Sequence, residues 1–433
     1  MARLQVALDF VDTARALKCA REAVEGGADI LEVGTPLLKA EGLDAVRVIH
    51  REFPKVPVVC DAKTMDAGRA EFETAAKAGA RVATVLGVAS DATLRECVES
   101  GRNYGIQVYV DLLGHPDPAR RAREAEALGA DLVGVHCPID EQMEGRDPFE
   151  RLRLVAAAVR IPVAVAGGIT AETAADAVKA GASVVIVGGF INKAPDGAAA
   201  TRAVKRAMDT GEKTASDLFR RATGDEIRGL LEKVSTPNIS DGFHRQPCLE
   251  GIRAVVQGAR CAGPAFTVHT APGDWAKPVE AIDLAPPGSV LVVDAGGSPP
   301  AMWGELATHS CLQRKIAGVV IDGAIRDTVE IRRLGFPAFA RWIVSHAGEP
   351  KGFGEIGVPV RVGGQRVQPG DWVAGDDDGV IVLPKERAVE MANRAMDCLE
   401  KEMRIRHEID DEGRTLNEVV ELYKWEKGGG PKD

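Results

Sequence analysis

The 433-residue chain is predicted to be an α/β protein, an N-terminal (β/α)8 barrel followed by a second domain of mixed α/β structure. Three observations predict it. Eight short Val-rich runs recur about every 25 residues between Leu4 and Ile191, with amphipathic stretches between them, the count that closes a barrel. Gly-Ala pairs end helices just before strands, at Gly27-Ala28, Gly79-Ala80, Gly129-Ala130 and Gly181-Ala182. After about Ala200 this rhythm stops, and turns rich in Gly and Pro separate short strands.

The eight runs are Leu4–Asp9, Ala28–Gly34, Val56–Lys63, Arg81–Gly87, Ile106–Leu112, Ala130–His136, Ile161–Gly168 and Ala182–Gly189. Each is almost continuously apolar, as strands buried on both faces are. Ala67–Ala78 and Pro118–Ala127 read as helices between them. A doubly wound open sheet competes, but the count of eight and the glycine pairs ending the last two runs favour the barrel. Thr201–Leu231 reads as the last barrel helix, a linker and the first helix of the second domain. Lys385–Trp425 is charged and helical in pattern. The expected boundaries are a barrel over 1–208, a linker over 209–224, a second domain over 225–400 and a helical tail over 401–433.

Composition excludes several classes. With 45% hydrophobic and 27% charged residues, disorder as the main state is out and two cores can form. Lys and Arg total 54 against 64 Asp and Glu, a net charge of −10. That balance argues against a nucleic-acid partner, which needs a basic face. The eight cysteines form no C-x-x-C pair, so a zinc site is not expected. Buried thiols in a reducing cytoplasm fit better. No apolar run reaches the roughly 18 residues a membrane span needs, and the first strand starts at once, so a cytoplasmic location is expected.

In a barrel, chemistry sits where the strands end. The residues there are Asp9, Glu32, Asp61, Lys63, Asp111 and His136, with Asp66 on the turn after Lys63. Asp61 and Lys63 are two apart on a strand and point to the same side. Acids and an ammonium packed together perturb one another's titration. Glu32 and Asp61 are hard oxygen ligands on neighbouring strands and suit Mg2+ or Mn2+. Gly167-Gly168 and Gly188-Gly189 leave backbone N–H groups free for a phosphate. An imidazole ordinarily titrates near neutrality, so His136 is the first candidate for proton transfer.

These residues carry a resemblance. Asp61-Ala-Lys63-Thr-Met-Asp66-Ala-Gly68 resembles the D-x-K-x-x-D-x-G signature of the orotidine-monophosphate-decarboxylase superfamily. Thr84–Thr93, Val110–Ala122, Gly134–Gly145 and Ala164–Thr170 extend the likeness over nearly all of residues 1–195. The branch it looks like is 3-hexulose-6-phosphate synthase. The resemblance implies a lyase that adds formaldehyde reversibly to ribulose 5-phosphate with Mg2+. It implies that His136 moves protons, Lys63 stabilises developing charge, Asp66 orients Lys63, and Asp9 and Asp111 bind the sugar. The related 3-keto-L-gulonate-6-phosphate decarboxylases typically carry an Arg three residues after the His, where this chain has Ile139. The physiological direction, formaldehyde fixation or ribulose 5-phosphate supply, stays open.

The second half offers Arg326-Asp327 after an apolar strand, with Glu305 before Arg326 and twenty residues between them. An Arg fork binds a carboxylate through two hydrogen bonds, and an adjacent Asp can anchor a divalent ion. Ser235–Phe243, Val290–Gly297, Met302–Thr308, Asp322–Asp327 and Pro369–Pro384 resemble the RraA-like family, which includes a ribonuclease E inhibitor and the class II 4-hydroxy-4-methyl-2-oxoglutarate aldolases. By that resemblance, Arg326 binds a 2-oxo acid, Asp327 and Glu305 hold a metal, and Gly296 and Gly297 offer backbone N–H groups. The implied activity is a pyruvate-forming aldolase or decarboxylase. The alternative is a non-catalytic regulatory or oligomerising module. The resemblance also implies a homo-oligomer, through dimeric barrels, trimeric C-terminal domains or both.

Overall fold

The computed structural model describes residues 1–216, 219–420 and 422. The chain divides into two compact units. One comprises Met1–Gln142, Arg146–Arg220 and the chain from Glu400 onward; the other comprises Met143–Gly145 and Arg221–Leu399. The stretch expected as a separate tail from residue 401 thus counts with the barrel unit.

Among the described residues of the first unit, eight strands form a closed parallel barrel in chain order. They are β1 (Arg3–Leu8), β2 (Ile30–Val33), β3 (Val58–Thr64), β4 (Val82–Leu86), β5 (Gln107–Asp111), β6 (Leu132–His136), β7 (Val163–Ala166) and β8 (Val184–Val187). Each falls inside one of the eight predicted runs or within a residue of it. Closure is made by β1 and β8, with Gln5 beside Ile186.

The period of two sorts the side chains. Leu4, Val6, Leu8, Leu31, Val33, Val108 and Val110 pack outward against the helices. Ala7, Ile30, Val59, Val82, Tyr109, Leu132, Ala164 and Ile186 fill the interior. Two residues further along five of these strands stand Asp9, Glu32, Asp61, Thr84 and Asp111. Apolar packing of one interior layer therefore places a polar layer above it. Tyr109 shows how closely that interior is fitted, because a Cβ on Gly134 would collide with its hydroxyl.

The glycine of each Gly-Ala pair sits in the left-handed region, with φ of 96°, 97°, 98° and 105° at Gly27, Gly79, Gly129 and Gly181. Only glycine adopts that conformation without cost, so these positions stop the helices and turn the chain into the next strand. Asp12, Ser90 and Asp117 start helices by accepting from the N–H groups of Arg15, Thr93 and Arg120.

The second unit is built on a mixed sheet. Its strands run in the order Gly379–Leu383, Trp372–Asp376, Cys261–His269, Val290–Asp294, Gly318–Ile325, Ala338–Ile343 and Arg253–Ala254, with Ala301–Trp303 and Glu355–Ile356 pairing off that path. Gly318–Ile325 is buried throughout. Among the described residues, the first helices after the barrel's last helix (Gly197–Thr210) are a 3-10 turn at Gly224–Glu226 and a helix at Ile227–Leu231.

The predicted run Lys385–Trp425 is not one helix. A long helix, Ala388–Asp410, ends before Gly413, which has φ of 69°, and Thr415 caps a short second helix, Leu416–Val419. Residues 421 and 423–433 of the expected tail lie outside the described residues.

All eight cysteines are free thiols, six of them buried. Among the described residues no helix is long and apolar enough to cross a membrane.

Candidate active site

The end of β3 carries the centre of the barrel site. Lys63 lies in the left-handed region, with φ of 50°, where the pairing of β3 with β4 slips between Cys60 and Thr64. Its N–H, freed from the ladder, donates to the hydroxyl of Thr84 at 2.9 Å. That hydroxyl donates in turn to Asp61 Oδ1 at 2.9 Å. Thr35 donates to Asp61 Oδ2 at 2.7 Å. Thr84 and Thr35 thus hold the carboxylate from both sides.

The Lys63 ammonium bridges two strands. Its Nζ lies 2.9 and 2.7 Å from the two oxygens of Asp61 and 3.4 Å from Asp111 Oδ2. The same Asp111 oxygen lies 3.3 Å from His136 Nδ1. The other Asp111 oxygen accepts from the Leu113 N–H at 3.0 Å. Asp61, Lys63, Asp111 and His136 form one connected chain of polar contacts across β3, β5 and β6.

Titration follows from this packing. Burial opposes the Lys63 ammonium, but Asp61 and Asp111 outweigh it and raise its pKa. Burial also works to raise the Asp111 carboxyl, yet the hydrogen bond and charge of His136, with Lys63, bring it below the usual carboxylate range. Glu32 differs. Burial pushes it well above that range, and the charges of Asp61 and Asp9 add to the effect. Against them stand one hydrogen bond from Gln5, at 2.7 Å, and the charge of Lys63. A buried carboxylate so poorly matched is suited to a cation. Among the described residues, however, no three His, Cys, Asp or Glu side chains converge as a ready metal cage.

Asp9 stands at the mouth, between β1 and its neighbours. A Cβ on Gly34 would collide with its carboxylate, and one on Gly188 would come to 3.0 Å from Oδ2. Gly167 and Gly168 are both left-handed, with φ of 104° and 70°. Gly189 opens a short helix, Gly189–Asn192, after β8. Asp66 stands apart, exposed on the turn after β3, while the ion pairs of Lys63 go to Asp61 and Asp111.

Sequence reasoning missed Gln5, Thr35 and Thr84. Gln5 and Thr84 interrupt otherwise apolar strands at inward positions, and that signal was available. Thr35 gave no signal, since its role depends on a neighbouring strand.

In the second unit, Arg326 and Asp327 follow the buried strand Gly318–Ile325 and are 44% and 36% exposed. Asp327 is left-handed, with φ of 56°. Its Oδ2 accepts from the Glu305 N–H at 3.2 Å and lies 3.6 Å from Arg326 Nε. Glu305 begins the helix Glu305–Gln313. A Cβ on Gly304 would collide with the Asp327 carboxylate, so glycine there lets the two segments meet. Gly296 and Gly297 lie elsewhere, in a cleft of about 460 Å3 lined by Asp294, Asp322, Arg341, Trp342, Arg361 and Gly364 and not by Arg326 or Asp327.

Residues 2–204 match the Orotidine 5'-phosphate decarboxylase / HUMPS family model, and residues 236–382 match the RraA-like model, Aldolase/RraA. The 3-hexulose-6-phosphate synthase of Mycobacterium gastri is 41% identical over 206 residues, 48% of this chain and 99% of that protein. The chain belongs to the family of the 3-hexulose-6-phosphate synthases. A second family member, from Bacillus subtilis (strain 168), is 39% identical over 209 residues, 48% of this chain and 99% of its own. These synthases are lyases, and their likeness is to the barrel half. The structure of the RNA-processing inhibitor RraA from Thermus thermophilis is 31% identical, covering 35% of this chain and 93% of that one, with a TM-score of 0.33. The chain is a synthase-family barrel fused to an RraA-like domain.

Proposed function

We propose that the barrel catalyses the reversible aldol addition of formaldehyde to D-ribulose 5-phosphate, giving 3-hexulose 6-phosphate. The observation that carries this reading is the connected chain Asp61–Lys63–Asp111–His136 in a barrel of the synthase family.

His136, with its Nδ1 toward Asp111, takes a proton from C1 of the sugar and leaves an enediolate across C1 and C2. Lys63 faces the developing oxyanion, held in place by Asp61 and Asp111 rather than by Asp66. The enediolate C1 attacks the formaldehyde carbon, the C1–C bond forms, and the new alkoxide takes up the proton that His136 removed. Glycine backbone at Gly167-Gly168 and Gly188-Gly189 receives the phosphate, and Asp9 a sugar hydroxyl. Glu32 and Asp61 are the residues that would hold Mg2+ or Mn2+; the ion would neutralise the enediolate's charge.

The test incubates the protein with ribulose 5-phosphate and formaldehyde, in Mg2+ or in EDTA, and follows formaldehyde loss. Mg2+-dependent loss that disappears in Asp61→Ala is the expected result. No loss with wild type removes the synthase reading.

For the second unit we propose metal-assisted cleavage of a 2-oxo acid to pyruvate. Arg326 takes the substrate carboxylate, and Asp327, with Glu305, is set beside a divalent ion. Support comes from the Arg326–Asp327 pair, locked to the N-terminus of the Glu305 helix and open to solvent. Assembly into an oligomer belongs to the same reading. Leu306, next to Glu305, and Val329, two residues after Asp327, are 76% and 79% exposed, apolar area that a second copy would cover. Oxaloacetate or 4-hydroxy-4-methyl-2-oxoglutarate with Mg2+ should yield pyruvate. No pyruvate from wild type would favour a regulatory module.

A further inference from the structure

The chain from Glu400 onward follows the RraA-like segment in sequence but folds into the barrel unit. Its charges there are buried: Glu400 is 0%, Arg404 6% and Glu408 2% exposed. Buried charges must be matched to be tolerated, so what matches them matters. Several of the partners of Glu400 and Arg404 lie in one loop.

That loop follows β8 and runs from Gly188 to Asp196. Glu400 Oε2 lies 3.3 Å from Lys193 Nζ. Its Oε1 accepts from the Phe219 N–H at 2.8 Å. Phe219 packs edge-on against Phe190, with ring centroids 5.0 Å apart. Arg404 donates to the carbonyls of Ala194 at 2.6 Å and Pro195 at 3.1 Å, and pairs with Glu22 at 3.0 Å and Glu408 at 3.0 Å. The loop is therefore tied at Phe190, Lys193, Ala194 and Pro195. Lys193 leans back along the chain. A Cβ on Gly189 would lie 3.6 Å from its Nζ, so the ammonium stands over the second glycine of the Gly188-Gly189 pair.

We propose that Glu400 and Arg404 are positioning residues of the barrel's substrate site, and that Lys193, which they hold over Gly189, binds the substrate phosphate. The proposal rests on the reading that the barrel takes a sugar phosphate at Gly188-Gly189. A synthase-family barrel thus owes part of its substrate affinity to residues encoded beyond the fused domain.

The test uses the full chain, with calorimetric binding of ribulose 5-phosphate beside steady-state kinetics. Lys193→Met should weaken Kd and raise KM about tenfold, the loss of roughly one charged contact, with kcat within about twofold. Lys193→Arg should restore most of the affinity. Glu400→Gln and, separately, Arg404→Lys should move KM in the same direction by a smaller factor and leave kcat alone. Wild-type Kd in Lys193→Met overturns the phosphate contact. Weak binding in Lys193→Met with wild-type Kd in both Glu400→Gln and Arg404→Lys overturns the positioning role. A protein that binds ribulose 5-phosphate through Lys193 but consumes no formaldehyde sinks the synthase reading and leaves this proposal standing. A wild type that binds neither ribulose 5-phosphate nor inorganic phosphate overturns it.

Discussion

The two candidate sites hold their charges in opposite ways. In the barrel, the side chains of Asp61 and Asp111 are 8% and 3% exposed, and each is committed to several partners before any substrate arrives. In the second unit, Arg326 and Asp327 sit at 44% and 36% exposure and touch each other only at 3.6 Å. Exposed ion pairs contribute about 0–1 kcal/mol. Breaking a buried one costs about 3–5 kcal/mol, because it strands a charge. The barrel site is therefore organised by folding itself. The Arg326–Asp327 site keeps its binding capacity for a ligand and contributes little to the fold. Function and stability should be tightly linked in the first site and nearly separate in the second.

Lys63→Ala is the sharpest break. It should lower formaldehyde consumption by about 10^3-fold, in the range for removing one preorganised donor, and lower the melting temperature as well. Activity within tenfold of wild type would remove Lys63 from the chemistry. Arg326→Ala should cut pyruvate formation by about 10^2-fold, the cost of a lost charge-assisted carboxylate contact. Its melting temperature should stay at the wild-type value, and a clear drop would erase the contrast between the two sites. Thr84→Val keeps the shape and removes the hydroxyl that joins Lys63 N–H to Asp61. Turnover should fall about tenfold, the worth of one hydrogen bond to a charged group, and Thr84→Ser should recover it.

The smallest effect separates stability from activity inside the barrel. Glu32 has a folded pKa raised by burial. An acid of this kind binds an extra proton on folding, so its contribution to stability falls as pH rises from about 4.3, the unfolded value. Measured in EDTA, Glu32→Gln should melt a few degrees above wild type at neutral pH, and the gap should close toward pH 4. A gap that is flat with pH would show that Glu32 is not strained by burial.

Much of this was legible in the sequence because local signals agreed with the fold. Val-rich runs marked the eight strands, and the Gly-Ala pairs marked the turns into them, since a positive φ demands glycine. Strand-end position also brought Asp61, Lys63, Asp111 and His136 to one place. Illegible were contacts that depend on a neighbouring strand. Thr35, just after β2, serves Asp61 on β3, and nothing within its own segment says so. Asp66 is three residues from Lys63, but it lies past the end of β3, where Met65, Asp66 and Ala67 are exposed. Gly296-Gly297 and Arg326-Asp327 both follow strands of one sheet, yet the glycines line a cleft with Arg341 and Arg361 instead. In the last helix Gly413 was the missed breaker.

The buried thiols carry a consequence for a protein offered formaldehyde. Aldehydes and other electrophiles are attacked by the thiolate, not the thiol. Burial pushes Cys19, Cys60, Cys97, Cys261 and Cys311 up to about 12, and Cys137 to about 11. At neutral pH a group near 12 is ionised in about one molecule in 10^5. Cys60 illustrates the point, one residue from Asp61 yet facing away from the site into the outer core. Under the proposed chemistry, the polypeptide can handle a reactive aldehyde at one face of a strand while the sulfur on the other face stays chemically silent.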